Sequence, residues 1–111
     1  MSRLNYTFHP LADDQQTDIW IYTCQHWGSE QADHYIDGLH EKLTNMARDD
    51  FLEKNLPPDI DPQVQFFHYG RHYIFFRKIE NGYYQEKIQV LTILHDSMDV
   101  PSRLREMLDQ L

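Results

Sequence analysis

The chain contains a single cysteine, Cys24, among its 111 residues. One thiol excludes an internal disulfide, and an unbridged chain fits the reducing environment of the cytoplasm. A lone cysteine can act as a nucleophile, but in a helical context it is more often a small packed side chain. We therefore expect Cys24 to be structural.

Long hydrophobic runs are also missing. No stretch of about 18 apolar residues occurs, which argues against a transmembrane helix and a membrane partner. The first residues, Met1–Tyr6, lack the apolar stretch of a secretory signal peptide. A chain of 111 residues has the length of one domain. We expect a single domain over residues 1–111 that is located in the cytoplasm.

Positive charge is scarce. Ten Lys and Arg stand against eighteen Asp and Glu, which gives a net charge of -8 at pH 7. Proteins that hold a nucleic-acid backbone gain affinity from Lys and Arg through counterion release, so we expect no direct nucleic-acid binding. The charge is uneven, because residues 66–95 contain four cations and two acids, whereas residues 29–50 contain two cations and six acids.

Helical periodicity dominates the first half of the chain. A short strand is predicted over Arg3–His9, and Pro10 suits the first turn of the helix that follows. Gly28 is placed to end this helix in a left-handed conformation, and Ser29 to cap the next one. The second helix has the clearest apolar stripe: Ala32, Tyr35, Ile36, Leu39, Leu43, Met46 and Ala47. We expect a helical hairpin formed by residues 10–28 and 29–50.

Aromatic and β-branched runs indicate a sheet in the second half. An acidic, proline-rich loop is predicted over 51–63, a strand over 64–69, and a β-hairpin with strands 72–79 and 83–95. Asn81-Gly82 between these last strands is the pair best suited to a two-residue type I′ turn. That turn predicts a register in which Arg77 faces Glu86, Phe75 faces Ile88 and Tyr73 faces Val90.

The predicted register assigns apolar side chains to both faces of the sheet. One face would carry Tyr73, Phe75, Ile88 and Val90, and the other Ile74, Phe76, Leu91 and Ile93. One face can pack on the helices, and the other needs a cover or is an interaction surface. A short amphipathic helix over 101–111 is a candidate cover. The predicted fold is α+β, with an antiparallel sheet packed against an N-terminal helical hairpin and a short C-terminal helix.

The order of these elements resembles the ParE/RelE toxin superfamily of bacterial toxin–antitoxin modules, and the residues resemble its ParE side. Ile19–Thr23, Trp27–Ala32 and Tyr35-Ile36 are similar to that family's helical hairpin. Gly70–Arg77, Val90–His95 and Met98–Val100 are similar to its sheet. The resemblance covers roughly residues 4–105 and nearly the whole domain, and the acidic loop at 51–63 departs from it.

The resemblance implies a toxin with one of two activities. ParE-like members poison DNA gyrase and need no catalytic residues, whereas RelE-like members cut messenger RNA on the ribosome. RNA cleavage needs a base, an acid and cations for the phosphorane charge, and the candidates are Arg71, Arg77 and His95 with Tyr73 or Tyr69. Because the chain is acidic, we expect a gyrase inhibitor that is not an enzyme. The alternatives are the ribosome-dependent endoribonuclease and a member that binds an antitoxin but has lost toxicity.

The resemblance also implies a cognate ParD-like antitoxin, a type of partner that is disordered until bound. Two surfaces are candidates for binding it: the groove of the helical hairpin with Trp20 and Trp27, and the second sheet face with Ile74, Phe76 and Leu91. Candidate anchors for gyrase are Leu104, Met107 and Leu108, unless they cover the sheet. His68, His72 and His95 lack recognisable ligand spacing, so we expect no metal and no other cofactor.

Overall fold

A mixed sheet and three helices form the part of the chain that this computed structural model describes, which comprises residues 6–49, 54–55, 63–79, 88–97 and 100–109. In chain order the elements are β1 (Tyr6–Phe8), α1 (Pro10–Trp27), α2 (Ser29–Asp49), β2 (Lys54–Asn55), β3 (Gln65–Tyr69), β4 (His72–Lys78), β5 (Ile88–His95) and α3 (Val100–Asp109). None of the described helices is both long and apolar enough to cross a membrane.

The sheet has the strand order β1-β5-β4-β3-β2. The predicted α+β fold is confirmed, since a helical hairpin covers the sheet and a short C-terminal helix follows it. One detail is corrected: β1 runs parallel to β5, whereas β2 to β5 pair antiparallel. No turn joins β1 to β5 in sequence, so local turn chemistry could not give the direction of that pair.

The helical hairpin forms where the sequence predicts it. Pro10 opens α1, and the His9 imidazole accepts a hydrogen bond from the Leu11 N–H at 3.2 Å. The helix ends at Gly28, whose φ is 95° and whose N–H donates to the Cys24 carbonyl at 2.9 Å. A positive φ is strained for residues other than glycine, so Gly28 provides the break between the two helices.

Two apolar cores lie on opposite faces of the sheet. The first, between the sheet and the helical hairpin, contains Tyr6, Ala12, Leu39, Leu43, Met46, Ala47, Phe67, Ile74, Phe76, Ile88, Val90 and Ile93. The second, between the sheet and α3, contains Val64, Phe75, Leu91, Leu94 and Leu104. The predicted stripe of α2 is thus core, and the C-terminal helix is a cover for the other face.

The predicted register of the last β-hairpin is wrong. Arg77 pairs with Gln89 rather than with Glu86, and Phe75 pairs with Thr92 rather than with Ile88. Lys78 faces Ile88, and a register shift between Phe75 and Phe76 adds a bulge. The Asn81-Gly82 turn, Glu86 and most of the loop at 51–63 lie outside the described residues.

This register also corrects the predicted faces. Ile88 and Val90 share the first core with Ile74 and Phe76, whereas Leu91 lies in the second core. The bulge changes the alternation along β5, because an extra residue moves the following side chains to the other face.

Gln15 of α1 bridges the helical hairpin to the bulged part of β5. Its Oε1 accepts hydrogen bonds from the Ile93 N–H at 2.7 Å and from the Thr92 hydroxyl at 3.0 Å. β1 ends opposite Val90, and Gln15 supplies an acceptor just beyond that point. The buried Thr92 hydroxyl is thereby satisfied, as buried polar groups must be.

Candidate functional site

A groove opens where the end of α1, the start of α2 and the sheet meet. Its volume is about 810 Å³. The helices supply Asp18, Ile19, Tyr22, Thr23, Trp27, Gln31 and Tyr35 to its lining, and the sheet side supplies Arg71, His72, His95 and Ser97. Two kinds of surface therefore face each other across it: an aromatic rim on α1 and a polar floor formed at the β3–β4 turn and the end of β5.

The aromatic rim is unusually exposed for such large side chains. Tyr22 is 56% exposed and Trp27 is 66% exposed. The Tyr22 ring stacks on His26, with centroids 4.0 Å apart, and the His26 Nδ1 lies 2.8 Å from the Tyr22 carbonyl oxygen, which fixes that ring. Exposed aromatic side chains of this kind are characteristic of protein–protein interfaces rather than of free surface.

Tyr35 holds the polar floor together. Its hydroxyl accepts a hydrogen bond from the Arg71 N–H at 3.1 Å, donates to the Tyr69 carbonyl at 3.1 Å, and lies 2.8 Å from His72 Nδ1. A phenol has one proton to donate and two lone pairs. All three contacts are satisfied when His72 donates from Nδ1, which assigns this tautomer to the neutral ring.

Tyr69 completes a reciprocal pair with Tyr35. The Tyr69 hydroxyl donates to the Tyr35 carbonyl at 2.8 Å. Two glycines make room for these rings, because a Cβ on Gly38 would lie 2.2 Å from the Tyr69 hydroxyl oxygen and a Cβ on Gly70 would lie 2.4 Å from that of Tyr35. The two tyrosines thus pin α2 to the β3–β4 turn, and they keep the floor of the groove in one conformation.

His72 is neutral in the folded protein at pH 7. Burial lowers the pKa of His72 to about 4, with His95 adding to the shift and Asp96 opposing it. Burial also raises the pKa of Tyr35, against the hydrogen bond from the Arg71 backbone, so the phenol keeps its proton. The floor therefore offers neutral hydrogen-bonding groups beside the Arg71 cation.

We predict that acid weakens the fold through His72. Its folded pKa of about 4 lies below the usual 6.5, so the unfolded chain binds more protons between these values. The stabilisation is complete above pH 6.5 and is lost as the pH falls toward 4. A shift of this size corresponds to about 3 kcal/mol, which partial solvent exposure reduces to about 1–2 kcal/mol.

The measurement is urea unfolding at pH 7.5 and pH 4.5 for the wild type and His72→Gln. The wild type should lose more stability than the variant on acidification. His40 contributes in the same direction in both proteins, since burial also lowers the pKa of His40. An equal loss in both proteins would contradict the assignment to His72.

His95 is oriented by the residues that follow β5. Its Nδ1 accepts a hydrogen bond from the Ser97 N–H at 3.1 Å, and the Ser97 hydroxyl lies 2.7 Å from the same nitrogen. Neutral His95 therefore carries its proton on Nε2. Asp96 lies between two histidines, since its carboxylate is 3.2 Å from His68 Nε2 and 3.6 Å from His95 Nδ1.

The structure separates the residues predicted for RNA cleavage. Arg71 and His95 line the groove. Tyr73 packs against the second core, with its ring 5.9 Å from that of Phe66. Arg77 lies at the far end of β4, where its Nε donates to Gln89 Oε1 at 2.9 Å. Tyr69, the alternative to Tyr73, lies beside the floor of the groove, where its hydroxyl is hydrogen-bonded to the Tyr35 carbonyl. Arg71 and His95 therefore share the groove, whereas Tyr73 and Arg77 lie away from it.

The residues predicted to bind an antitoxin lie in different parts of the structure. Trp27 lines the groove, whereas the Trp20 indole donates to Asp33 Oδ1 at 2.8 Å and ties α1 to α2. Ile74, Phe76 and Leu91 are at most 3% exposed. These three form parts of the two cores, and the prediction that they lie on an exposed sheet face is wrong.

The described leucine side chains of α3 also pack in a core. Leu104 is fully buried in the second core, and Leu108 packs against it. The side chain of Met107 lies outside the described part of the structure. Leu104 therefore cannot serve as an exposed anchor for gyrase, because α3 uses it to cover the sheet.

Sequence reasoning missed several residues of the groove: Ile19, Tyr22, His72 and Ser97 in the lining, and Tyr35 as the centre of the floor. The periodic stripe of α2 had placed Tyr35 in the core, and its ring is indeed half-buried. A sequence signal did exist for α1, since Tyr22 is a large aromatic residue beside the helically spaced Ile19, Thr23 and Trp27. No group of metal-binding side chains occurs among the described residues.

Comparisons with known proteins agree with this architecture. Residues 6–100 match the family "ParE toxin of type II toxin-antitoxin system, parDE". The chain belongs to this ParE family. It is 28% identical over 99 residues to Toxin ParE1 of Mycobacterium tuberculosis, in both strain CDC 1551 and strain H37Rv, which covers 89% of this chain and 96% of the relative.

A solved structure shares the ParE fold seen here. The structure "Chromosomal ParDE TA system from P. aeruginosa" superposes with a TM-score of 0.63 and 16% identity, over 83% of this chain and 95% of that one. At this identity the likeness concerns the fold. Together with the family match, it makes the protein a ParE-like toxin of a type II toxin–antitoxin system.

Proposed function

We propose that this ParE-like toxin inhibits DNA gyrase without catalysing a reaction, and that a cognate ParD-like antitoxin neutralises it by occupying the groove. Membership of the ParE family supports the proposal, and the similar structure from P. aeruginosa is that of a ParDE toxin–antitoxin system. Both partners are cytoplasmic macromolecules, so the protein would act in the cytoplasm.

The exposed aromatic rim is the observation that most supports antitoxin binding in the groove. Tyr22 and Trp27 stand beside a floor that Tyr35 already holds in place. A preorganised groove reduces the entropic cost that a partner pays on binding, and large aromatic side chains are frequent energetic anchors of interfaces. A partner that folds on binding can bury both the rim and the floor.

RNA cleavage is the second candidate function, because Arg71 and His95 line the same groove. A cation and an imidazole are two of the groups such a reaction needs. Tyr73 and Arg77 lie elsewhere, and a net charge of -8 opposes contact with ribosomal RNA. These two observations favour gyrase over the ribosome. An antitoxin-binding member without toxicity is the third candidate.

The test in cells is induced expression of the chain without an antitoxin, with DNA supercoiling, DNA breaks, messenger RNA and protein synthesis followed together. We expect DNA breaks and a DNA-damage response while protein synthesis continues. His95→Ala should remain as toxic as the wild type, since no reaction depends on it. If protein synthesis stops within minutes while the DNA stays intact, the gyrase proposal is wrong and the endoribonuclease is favoured.

The matching test in solution uses purified gyrase and a relaxed plasmid. Inhibition that requires about one toxin per gyrase supports a binding mechanism, whereas a catalyst would act at a small fraction of the gyrase concentration. If neither gyrase inhibition nor RNA cleavage occurs and the antitoxin still binds, the non-toxic alternative holds.

A further inference from the structure

The two sides of the groove carry charges of opposite sign. Arg71 lies on the sheet side, and Asp18 on α1 is the one carboxylate of the described lining. Between the described residues, the ion pairs are His68–Asp96, His95–Asp96 and Arg103–Glu106. The Arg71 guanidinium is exposed and has no described carboxylate as its partner.

The Arg71 backbone is held on both sides. Its N–H donates to the Tyr35 hydroxyl at 3.1 Å, and its carbonyl accepts from the Asp96 N–H at 2.9 Å. Gly70 before it adopts φ 56° and approaches Tyr35 closely. A cation with no carboxylate partner among the described residues is thus fixed at its backbone in a defined position, an arrangement that reduces the cost of binding an anion there.

His95 adds a second hydrogen-bond donor on this side. Because its Nδ1 accepts from the Ser97 N–H, the neutral ring has its proton on Nε2. The neighbouring His72 stays neutral, so Arg71 is the one side chain of the described lining with a permanent positive charge. One cation and one N–H donor are a suitable set for a single carboxylate.

The α1 side of the groove is largely apolar. Ile19, Tyr22 and Trp27 come from α1, and Tyr22 and Trp27 are more than half exposed. A ligand that contacts both sides of the groove needs an anionic group facing Arg71 and an apolar group facing Trp27. The carboxylate of Asp18 disfavours an anion on the α1 side.

We infer that the antitoxin segment seated in this groove presents an Asp or Glu side chain to Arg71 and His95, and beside it an apolar side chain to Ile19, Tyr22 and Trp27. The inference rests on the proposed function, since it names the chemistry of the antitoxin at the same groove. A nucleic-acid strand would also place an anion on Arg71. The groove offers a single arginine and an opposing Asp18, however, and a strand needs a cation for each phosphate.

The experiment measures binding of the small protein encoded beside this chain's gene, purified at full length, by titration calorimetry. Arg71→Glu should raise the Kd about 100-fold, and Arg71→Lys about threefold to tenfold because the charge stays but the planar fork is lost. Arg77→Glu is the matched control, since it reverses an exposed arginine at the far end of β4. It should change the Kd less than threefold.

Two further arms locate the partner's carboxylate and its apolar neighbour. Each Asp and Glu of the partner is changed in turn to Asn or Gln, and the one that contacts Arg71 should lose affinity against the wild type but not against Arg71→Glu. Trp27→Ala should weaken binding about tenfold or more. Circular dichroism and thermal unfolding of every variant exclude loss of the fold as the cause.

The outcomes separate this inference from the proposed function. If the wild-type toxin does not bind the neighbouring protein, the antitoxin proposal fails. If it binds and Arg71→Glu equals Arg77→Glu, the antitoxin proposal stands and the carboxylate inference is overturned. Binding of a 20-nucleotide single-stranded RNA that depends on Arg71 and matches the protein partner in strength would also overturn it.

Discussion

Gly70→Ala is expected to lower the free energy of unfolding by about 3–5 kcal/mol, which is a large part of the stability of a typical domain. Alanine in the left-handed conformation at φ 56° costs about 1 kcal/mol. Its Cβ would also lie 2.4–2.9 Å from three atoms of the Tyr35 side chain, the hydroxyl oxygen and two ring carbons. The ring would have to move away from Arg71, His72 and Tyr69, and each lost hydrogen bond costs about 1 kcal/mol.

The measurement is urea unfolding, and the chain offers two controls. Gly28→Ala has a positive φ of 95° and nothing within 4 Å of its Cβ, so it should cost only backbone strain of about 1–3 kcal/mol. In a Tyr35→Ala background, Gly70→Ala should cost only about 1 kcal/mol, because the colliding ring is gone. Equal effects of Gly70→Ala in both backgrounds would contradict the steric explanation.

Leu104→Ala is expected to cost about 2–4 kcal/mol. Leu104 is fully buried in the second core beside Phe75, Leu91 and Leu94. Removing a buried leucine loses its transfer free energy and leaves a cavity. The substitution should lower the free energy of unfolding and leave target binding unchanged, since Leu104 covers the sheet instead of facing a target.

Leu108→Ala is the matched control for this prediction. Leu108 is only partly buried against the same core, so its loss should cost about 1 kcal/mol. Binding to gyrase by the folded fraction of Leu104→Ala should equal that of the wild type. If Leu104→Ala is as stable as the wild type but no longer binds gyrase, α3 is the surface that contacts the target.

Periodicity predicted the helical hairpin well because its signals are local. The stripe of α2 and the break at Gly28 both depend on residues near one another in sequence, and the structure confirms both. The register of β4 and β5 failed because it was derived from one turn. The pairing of Lys78 with Ile88 and a bulge at β5 shift every described pair, and neither is encoded in a short motif.

The groove was predicted only in part for a related reason. Trp27, Arg71 and His95 stood out as residue types, but their meeting depends on the packing of α1, α2 and the end of β5. The role of Tyr35 depends on Gly70, which is distant in sequence and close in space. Conversely, Ile74, Phe76 and Leu91 were candidates for one antitoxin surface because the predicted register placed them on the same sheet face. In the structure Ile74 and Phe76 pack under the helical hairpin, and Leu91 packs under α3.

The parallel pairing of β1 with β5 determines when the chain can finish folding during synthesis. Tyr6 pairs with Ile88, and β5 lies between β1 and β4 in the sheet. When the helical hairpin of a nascent chain has left the ribosome, β5, the strand that links β1 to β4, has not yet been released. Contacts so distant in sequence slow folding. Because His95 and Ser97 line the groove, the complete groove forms only after residue 97 has left the ribosome.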